Sequence, residues 1–523
     1  MTTIPEFFKG RHVLVTGGTG FLGKILIEKL LRACPEVGTV YLLMRPKRGH
    51  EIARRLNDLV NLEIFDGLRS QRPGFTSHLK VVRGDVTLEG LGLSAEDRTL
   101  LTKDVSVVFH CAANVRFDQK LRVAIEFNTL GARRVLDLAL DMTQLEALVH
   151  VSTAYCQCDQ KEVKEQIYPA VADPEKVLSV LEWMRDDVLD IVESKLLNNL
   201  PNTYSYSKNL TEQLVASYSP RIPIGLARPS IVTHTWKEPL VGWVDNINGP
   251  TGLLIGAGRG VIRSMHCKAD YHADVVPVDI VANAVLAMAK QVADTKPKTP
   301  LVINVVSGKD KRVTWGEVLN NGRRHLYNNP LSNTVWYPDG SIKSSKLVHL
   351  LCVIFFHFLP AYVIDILLTL CRKKPFMVNI QRRIQGGLSL LQYYTTKEWT
   401  FLNSEFHALR DSLSPEDRKL FYMDVREVDA DSYILNSVLG TRKYFLKEDP
   451  STIPQARKLL RRLYWLDRSV AAIFYGLLAW LLYSWTGNFI SLVDVFFSKT
   501  ANIFAPMVRV RAGSTEAIIT TET

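Results

Sequence analysis

Short apolar runs alternate with amphipathic stretches through the first half of the chain. Apolar runs near 11–16, 38–44, 79–84, 105–110, 146–152 and 223–228 are rich in β-branched residues and too short for helices. Runs of that kind read as strands covered on both faces. Between them, segments near 22–33, 50–66, 119–142 and 203–219 repeat apolar positions at three- and four-residue spacing, as helices lying on a core do. The alternation predicts a Rossmann-like, doubly wound parallel sheet, an α/β fold whose ligands sit at the carboxyl ends of the strands.

The pattern changes in the last third. Leu347 to Leu370 is apolar enough to look membranous, yet it holds His349, His357, Pro360 and Asp365, which a clean span avoids. An interfacial or re-entrant segment is expected there, followed by the basic Cys371-Arg372-Lys373-Lys374. Residues 375–460 read as helices with charged surfaces, including a start at Ser414-Pro415-Glu416-Asp417. Ser469 to Trp485 has no charged residue and is preceded by Arg457, Lys458, Arg461, Arg462 and Arg468, against Asp467 alone. Basic flanks stay cytoplasmic, so a single-pass anchor with the bulk of the chain facing the cytosol is expected. The endoplasmic reticulum is the first choice of membrane, with peroxisome and lipid droplet as alternatives. Residues 1–10 run directly into the first strand, so no signal peptide is expected, and no retrieval tripeptide is read at the end.

Composition adds limits. Hydrophobic content of 47% and charged content of 22% over 523 residues describe folded domains rather than disorder. The net charge of +11 comes without arginine-rich runs carrying interleaved aromatics. Nucleic acid is therefore not an expected partner, whereas an anionic membrane face or a polyanionic substrate is. The seven cysteines are scattered and odd in number, as reduced thiols of a cytosol-facing protein would be. No metal-ligand cluster is apparent.

Candidate chemistry begins at the first strand-to-helix turn. Thr16-Gly17-Gly18-Thr19-Gly20-Phe21-Leu22-Gly23 carries glycines at Gly17, Gly20 and Gly23. The first suits a tight turn, the second close approach of a pyrophosphate, and the third close packing of helix on strand. The helix N-terminus offers free N–H groups to phosphate. The second strand ends in Arg45, with Lys47 and Arg48 behind it, where an NAD-type site usually has an acid. A basic residue there suits a 2′-phosphate and predicts NADPH. Asp85 and Val86, after the third strand, are placed at the adenine, with helix capping as the alternative for Asp85. Ala112 and Ala113, after the fourth, are small enough to lie against a cofactor. His110 is expected to be a packed histidine rather than a catalytic one.

The fifth strand ends in Ser152-Thr153, and about fifty residues later Tyr204 and Lys208 share one face of a helix at i, i+4. An ammonium near a phenol favours the phenolate and lowers its pKa, so the tyrosine becomes a usable acid–base group. A hydroxyl from Thr153, or from Ser152, would hold the same carbonyl oxygen. Tyr206 lacks a lysine four residues on.

These stretches together resemble an extended short-chain dehydrogenase/reductase, and at residue level the fatty acyl-CoA reductases. The resemblance rests on TGGTGFLGKILIEKLL from Thr16, HCAANVRFDQKLRVAIEFN ending at Asn128, HVSTAY from His150 and PNTYSYSKNLTE from Pro201. It extends to ARPSIV from Ala227, WKEPLVGWVDNINGPTG from Trp236 and DVVPVDIVAN from Asp274. It covers about residues 5–470, including a C-terminal region of the male-sterility type. It implies NADPH-dependent reduction of a long-chain acyl-CoA to a primary alcohol through an enzyme-held aldehyde. Tyr204 is then the proton donor, Lys208 tunes it and binds the nicotinamide ribose, and Thr153 polarises the carbonyl, with Ser152 second. The turn from Thr16 to Gly23 holds the pyrophosphate and Arg45 the 2′-phosphate. Asn128 supports the nicotinamide side or a water relay, and Pro229 and Ser230 wall the nicotinamide. The expected layout is a catalytic domain at 1–345 with substrate-binding insertions mainly at 230–345, a helical domain at 346–468, an anchor at 469–485 and a tail at 486–523. Arg259, Arg263 and Lys268 are candidates for coenzyme A phosphates. Membrane lipid is an expected partner, and homodimerisation is left open. A hydroxysteroid or sugar-nucleotide dehydrogenase is the rival enzyme, and an NADPH-sensing scaffold the non-enzymatic rival.

Overall fold

A computed structural model of the chain describes residues 2–46 and 51–511, with side chains up to residue 485. Lys47, Arg48 and the tail from residue 512 lie outside the described residues.

Seven parallel strands form the central sheet: β1 His12–Thr16, β2 Val40–Met44, β3 Leu79–Arg83, β4 Val105–His110, β5 Ala147–Val151, β6 Ile224–Pro229 and β7 Leu301–Val305. Their order across the sheet is β7-β6-β5-β4-β1-β2-β3. The order reverses between β1 and β4, which opens a crevice at the carboxyl edge where ligands of such sheets bind. Six of these strands coincide with the expected runs. The seventh is an addition, reached after a long excursion from β6.

Alternation along each strand divides the core between the two faces. Val13 and Val15 pack on one side with Ile25, Leu26 and Leu30 of α1 (Phe21–Ala33), and Leu14 on the other with Val135 and Leu136 of α2 (Gly131–Leu140). Helix α3 (Thr203–Tyr218), which carries Tyr204 and Lys208, shares the second side through Leu214 and Val215. Helix α4 (Val278–Thr295) is buried along most of its length on the first. The helix expected at 119–142 is broken: Leu121–Ile125 leads into a π turn at Glu126–Leu130 and then α2. That wider turn carries Asn128, and π turns of this kind recur at functional sites.

Residues after β7 pack back onto the sheet domain. Thr400–Phe401 pairs in parallel with Glu162–Val163, and the Asp417 carboxylate accepts hydrogen bonds from the Ile4 N–H at 3.0 and 3.1 Å. The chain up to Arg457 is one compact unit, and Lys458 onward forms a second. Of the stretch 346–468 expected as a helical domain, residues up to 457 fall in the unit that holds the sheet. Helix Lys346–Leu370 and the stretch Pro450–Trp485 are long and apolar enough to cross a membrane. The latter lies mostly within a helix running from Ile453 to Arg511.

Candidate active site

At the first strand-to-helix turn, Gly17 sits at φ +71° and a Cβ there would stand 2.6 Å from the Ala112 nitrogen. A side chain at Gly23 would meet the Gly17 carbonyl at 2.3 Å. Both glycines are required by close approach, one to the loop after β4 and one between helix and turn. Gly20 caps α1 with no side-chain hydrogen bond, and Phe21 and Leu22 are only half-buried, so the first-turn N–H groups are not occupied by a capping side chain. An anion fits that end. Thr16 is fully buried. Its hydroxyl shares a 2.7 Å hydrogen bond with His110 Nδ1 and accepts the Ala112 N–H at 3.3 Å, tying the ends of β1 and β4 together. Phe21 stacks on Trp243 at 5.5 Å, and Lys24 pairs with Asp245, so the loop after β6 closes over the start of α1.

Arg45 is exposed at the end of β2 and lies 3.9 Å from the Asp85 carboxylate. Asp85 accepts from both the N–H and the hydroxyl of Thr87, at 3.0 and 2.9 Å, which shapes the turn after β3. Val86 is buried, and its carbonyl accepts from Arg134. Arg55, which motif reading did not single out, donates to the Arg45 carbonyl and to Thr19 Oγ1. It places a second guanidinium beside the turn.

Ala112 and Ala113 are half-buried after β4. Asn128 pins the next segment: its amide oxygen accepts the Asn114 N–H at 2.8 Å, and its nitrogen donates to the Asn114 carbonyl and to Ser207 Oγ. It therefore joins the loop after β4 to α3.

Tyr204, Lys208 and Glu212 form one stripe on α3, at four-residue spacing. Lys208 is buried and donates to the Val151 carbonyl at 2.8 Å. Burial pushes its pKa down to about 8, against the opposing pull of Cys156 and Glu212. Burial pushes the Tyr204 phenol well up, Cys156 and Tyr394 add to this, and the hydrogen-bonding Thr153 hydroxyl opposes it. The expected lowering of the phenol by the Lys208 ammonium is not found: desolvation dominates, and Tyr204 is a neutral acid at pH 7. Thr153, buried after β5, also accepts the Tyr155 N–H. Ser152 points elsewhere, donating to Glu212 Oε1 at 2.6 Å. Pro229 gives its carbonyl to Thr153 at 3.5 Å. Ser230 Oγ is buried and has no hydrogen-bond partner among the described residues.

Beneath these groups lies a pair that motif reading did not name. Arg228 and Glu212 are both fully buried and joined by two hydrogen bonds of 2.8 and 2.6 Å. Glu212 also receives Ser152, Cys156 at 3.0 Å and Gln157 at 3.2 Å. Burial alone would raise its carboxyl, but the guanidinium and these donors hold it below the usual carboxylate range. An ion pair this deep, with its hydrogen bonds satisfied, leaves a costly charge if one partner is removed.

An apolar cavity of about 200 Å³ adjoins the strand ends. Thr233 and His234 shortly after β6 and Ser307 shortly after β7 line it, with Leu254, Ile262, Val275, Trp315, Leu319 and Ile434. Its far wall comes from residues 425–437, which sequence spacing could not assign to a site. Arg263, a candidate for coenzyme A, lies over the Trp336 and Phe356 rings at 5.8 and 5.9 Å, and Lys268 donates to the Ser344 carbonyl.

Comparison with known proteins adds independent findings. Two family profiles described as "Male sterility protein", the first of them for an NAD-binding domain, match residues 15–285 and 356–448. The chain is 39% identical over 463 residues to "Fatty acyl-CoA reductase 1" of Homo sapiens, covering 88% of this chain and 90% of that one. It is 37% identical to "Fatty acyl-CoA reductase wat" of Drosophila melanogaster, over 91% and 92% of the two chains. Among solved structures, a reductase domain of a nonribosomal peptide synthetase from Mycobacterium tuberculosis superposes with TM-score 0.57 at 20% identity, covering 83% of this chain and 91% of that one. The terminal R domain of the myxalamid pathway gives 0.54 at 19%, with the same two coverages. These two show the shared fold.

The Glu212–Arg228 pair generates a stability prediction. Arg228→Met should lower unfolding free energy at pH 7.5 by about 3–5 kcal/mol. In the parent, the depressed carboxyl stabilises above its unfolded pKa, and that contribution is lost as pH falls through the native value. In the variant, burial acts without the guanidinium and raises the carboxyl. Its deficit against the parent should therefore shrink between pH 7.5 and 5 in urea unfolding of the detergent-solubilised protein. A constant deficit would mean that Glu212 is not the stranded group.

Proposed function

The chain belongs to the fatty acyl-CoA reductase family, and we propose that it reduces a long-chain acyl-CoA to the primary alcohol with NADPH as electron donor. The observation that carries this reading is the meeting of Thr153, Tyr204 and Lys208 just past β5, on a sheet whose neighbouring strands β6 and β7 lead into the apolar cavity. The glycine turn, the uncapped start of α1 and the orphaned Ser230 hydroxyl suit a nicotinamide dinucleotide, and Arg45 with Arg55 would face its 2′-phosphate.

When bound there, the reduced cofactor supplies hydride. Thr153 and Tyr204 donate hydrogen bonds to the thioester carbonyl oxygen, and Tyr204, a neutral phenol, delivers the proton as that oxygen becomes a hydroxyl. Lys208, one helical turn from Tyr204 and held by the Val151 carbonyl, contributes a buried positive charge and a donor for the ribose. The resulting hemithioacetal collapses: the C–S bond breaks, the coenzyme A thiol leaves, and an aldehyde remains. The same three residues hold and protonate the aldehyde oxygen in a second reduction. Two hydrides and two protons thus convert acyl-CoA to alcohol plus free coenzyme A. Asn128 fixes the loop after β4 against α3 and so keeps both walls of the site in register. The acyl chain occupies the apolar cavity. The helix containing Ser469–Trp485, with basic residues before it, anchors the chain in a membrane, with the catalytic unit on the cytosolic side.

Purified enzyme should oxidise two NADPH per acyl-CoA and release alcohol, and free aldehyde as the sole product would refute the two-step course. Tyr204→Phe should lower turnover by about 10²- to 10⁴-fold while cofactor binding, followed by fluorescence, is retained. A phenylalanine enzyme of parental activity would assign the proton to another donor. Arg45→Glu should lower kcat/KM for NADPH by about tenfold or more and leave that for NADH nearly unchanged, since a charge-assisted hydrogen bond is lost. An unchanged preference would move the 2′-phosphate contact to Arg55. Gly322 lines the cavity, and a Cβ there meets only Ile434, at 4.0 Å. Gly322→Leu should shift preference to shorter acyl chains across a graded acyl-CoA series, and an unshifted series would place the chain elsewhere.

A further inference from the structure

Helix Lys346–Leu370 has two unlike faces. Its buried positions fall at four-residue spacing: His349, Val353, His357 and Ala361. Residues four apart drift about 40° around an α-helix. The π turn at Ile354–Phe358 is wider and absorbs part of that drift, which keeps the stripe on one side. The polar residues that argued against a membrane span belong to this stripe or continue it. His349 Nδ1 shares a 2.8 Å hydrogen bond with Ser264 Oγ, and His357 Nε2 accepts the Arg263 N–H at 3.0 Å. Asp365 accepts the N–H groups of Phe376, Met377 and Val378, each at 2.9 Å, and so caps the returning helix Met377–Thr395.

That returning helix rejoins the catalytic unit. Tyr394 OH accepts from Asn202 at 2.9 Å and shares a 3.1 Å bond with Ser205, both at the start of α3. Thr395 donates to the His266 carbonyl. Both ends of Lys346–Leu370 are therefore fixed to one compact body, and a single helix of 25 residues cannot cross a bilayer and return.

The opposite face is apolar and exposed: Leu347, Leu350, Leu359, Val363, Ile366 and Leu370 among others, with Leu370 at 75%. Exposed Arg372, Lys373 and Lys374 follow at its end, and exposed Arg382 and Arg383 lie on the returning helix. A wide apolar stripe bordered by cations is the chemistry of a helix lying in the plane of an anionic bilayer. The inner face meets the cavity wall. Ser264, which holds His349, lines the cavity together with Met265, Ser341 and Ile342 of the adjoining strand pair.

We propose that Lys346–Leu370 is an in-plane bilayer-docking helix. It seats the catalytic unit on phospholipid independently of the C-terminal helix and lays the cavity wall against the membrane. The docking rests on this geometry. The passage of acyl substrate and alcohol product between membrane and cavity rests on the acyl-CoA reading above.

The test uses the full-length protein in phosphatidylserine-containing vesicles. A benzoylphenylalanine photocrosslinker at Leu350 or at Ile366 should form phospholipid adducts detectable by mass spectrometry. The same probe at Ile191, also exposed but on helix Asp186–Leu196, should form none. Absence of adducts at both helix positions while the C-terminal helix is inserted overturns the proposal. A Leu350→Asp/Ile366→Asp variant changes only exposed side chains. Its kcat/KM for a long acyl-CoA should fall about tenfold on vesicles and match the parent in detergent micelles. Equal activity in both settings, or equal loss in both, also overturns it. Adducts at both positions on a protein that reduces no acyl-CoA would refute the acyl-CoA reading and leave the docking standing.

Discussion

Much of the site depends on one buried contact, the Glu212–Arg228 pair. Arg228 is the penultimate residue of β6 and Glu212 lies on α3, so their two hydrogen bonds fix helix against sheet where the reactive groups converge. Glu212 also holds Ser152, Cys156 and Gln157, which sets the course of the chain just past β5, including Thr153. Arg228 in turn donates to the Lys164 and Gln166 carbonyls, fastening the segment that pairs with Thr400–Phe401. An apolar pair of similar volume would serve stability as well or better. What it would not supply is a fixed negative charge one helical turn beyond Lys208, opposing the deprotonation that burial favours.

The C-terminal third completes the site rather than appending to it. Tyr394 closes the start of α3 and packs against Phe117, which also contacts the Tyr204 ring. Tyr433 bonds Thr233 at 2.7 Å and forms part of the cavity wall. Gly440 approaches Gly242 so closely that a Cβ on the former would stand 1.8 Å from the latter's carbonyl oxygen. The loop from Trp236 is held from the other side by Asp279, which accepts the Trp236, Lys237 and Glu238 N–H groups and the Tyr422 hydroxyl. Removing the C-terminal segment would therefore open the cavity and loosen the loop that covers the start of α1.

Six of the seven strands were legible because each carries a short, mostly apolar run, nearly all of it buried except in the edge strand β3, where Lys80 and Arg83 are exposed. The seventh, Leu301–Val305, is no shorter than four of the others, but it stands in a loop-rich region outside the regular strand–helix alternation, and its partner β6 lies some seventy residues upstream. The glycine turn and the Tyr204/Lys208 spacing were readable because their geometry is local. Glu212 and Arg228 were not, since an acid on an amphipathic helix ordinarily reads as solvated, and only tertiary packing shows this one to be buried. The far cavity wall is likewise a product of long-range packing. The helix at 347–370 is an intermediate case. Its histidines and aspartate spoke against a span, but that they share one buried face, and what that face touches, are tertiary facts.

The electrostatics of the site follow from dryness more than from any one neighbour. Burial moves Tyr204 up and Lys208 down, so the phenol keeps its proton at neutral pH while the amine sits close to losing its own. For an oxidation, which needs a base, that setting would be a handicap. For a reduction it is the useful one, because the group facing the carbonyl must arrive with a proton to give. A thioester and the aldehyde derived from it each offer a carbonyl oxygen to the same donors. One dry, proton-bearing site can therefore serve both reductions in turn, provided that the chain stays seated between them.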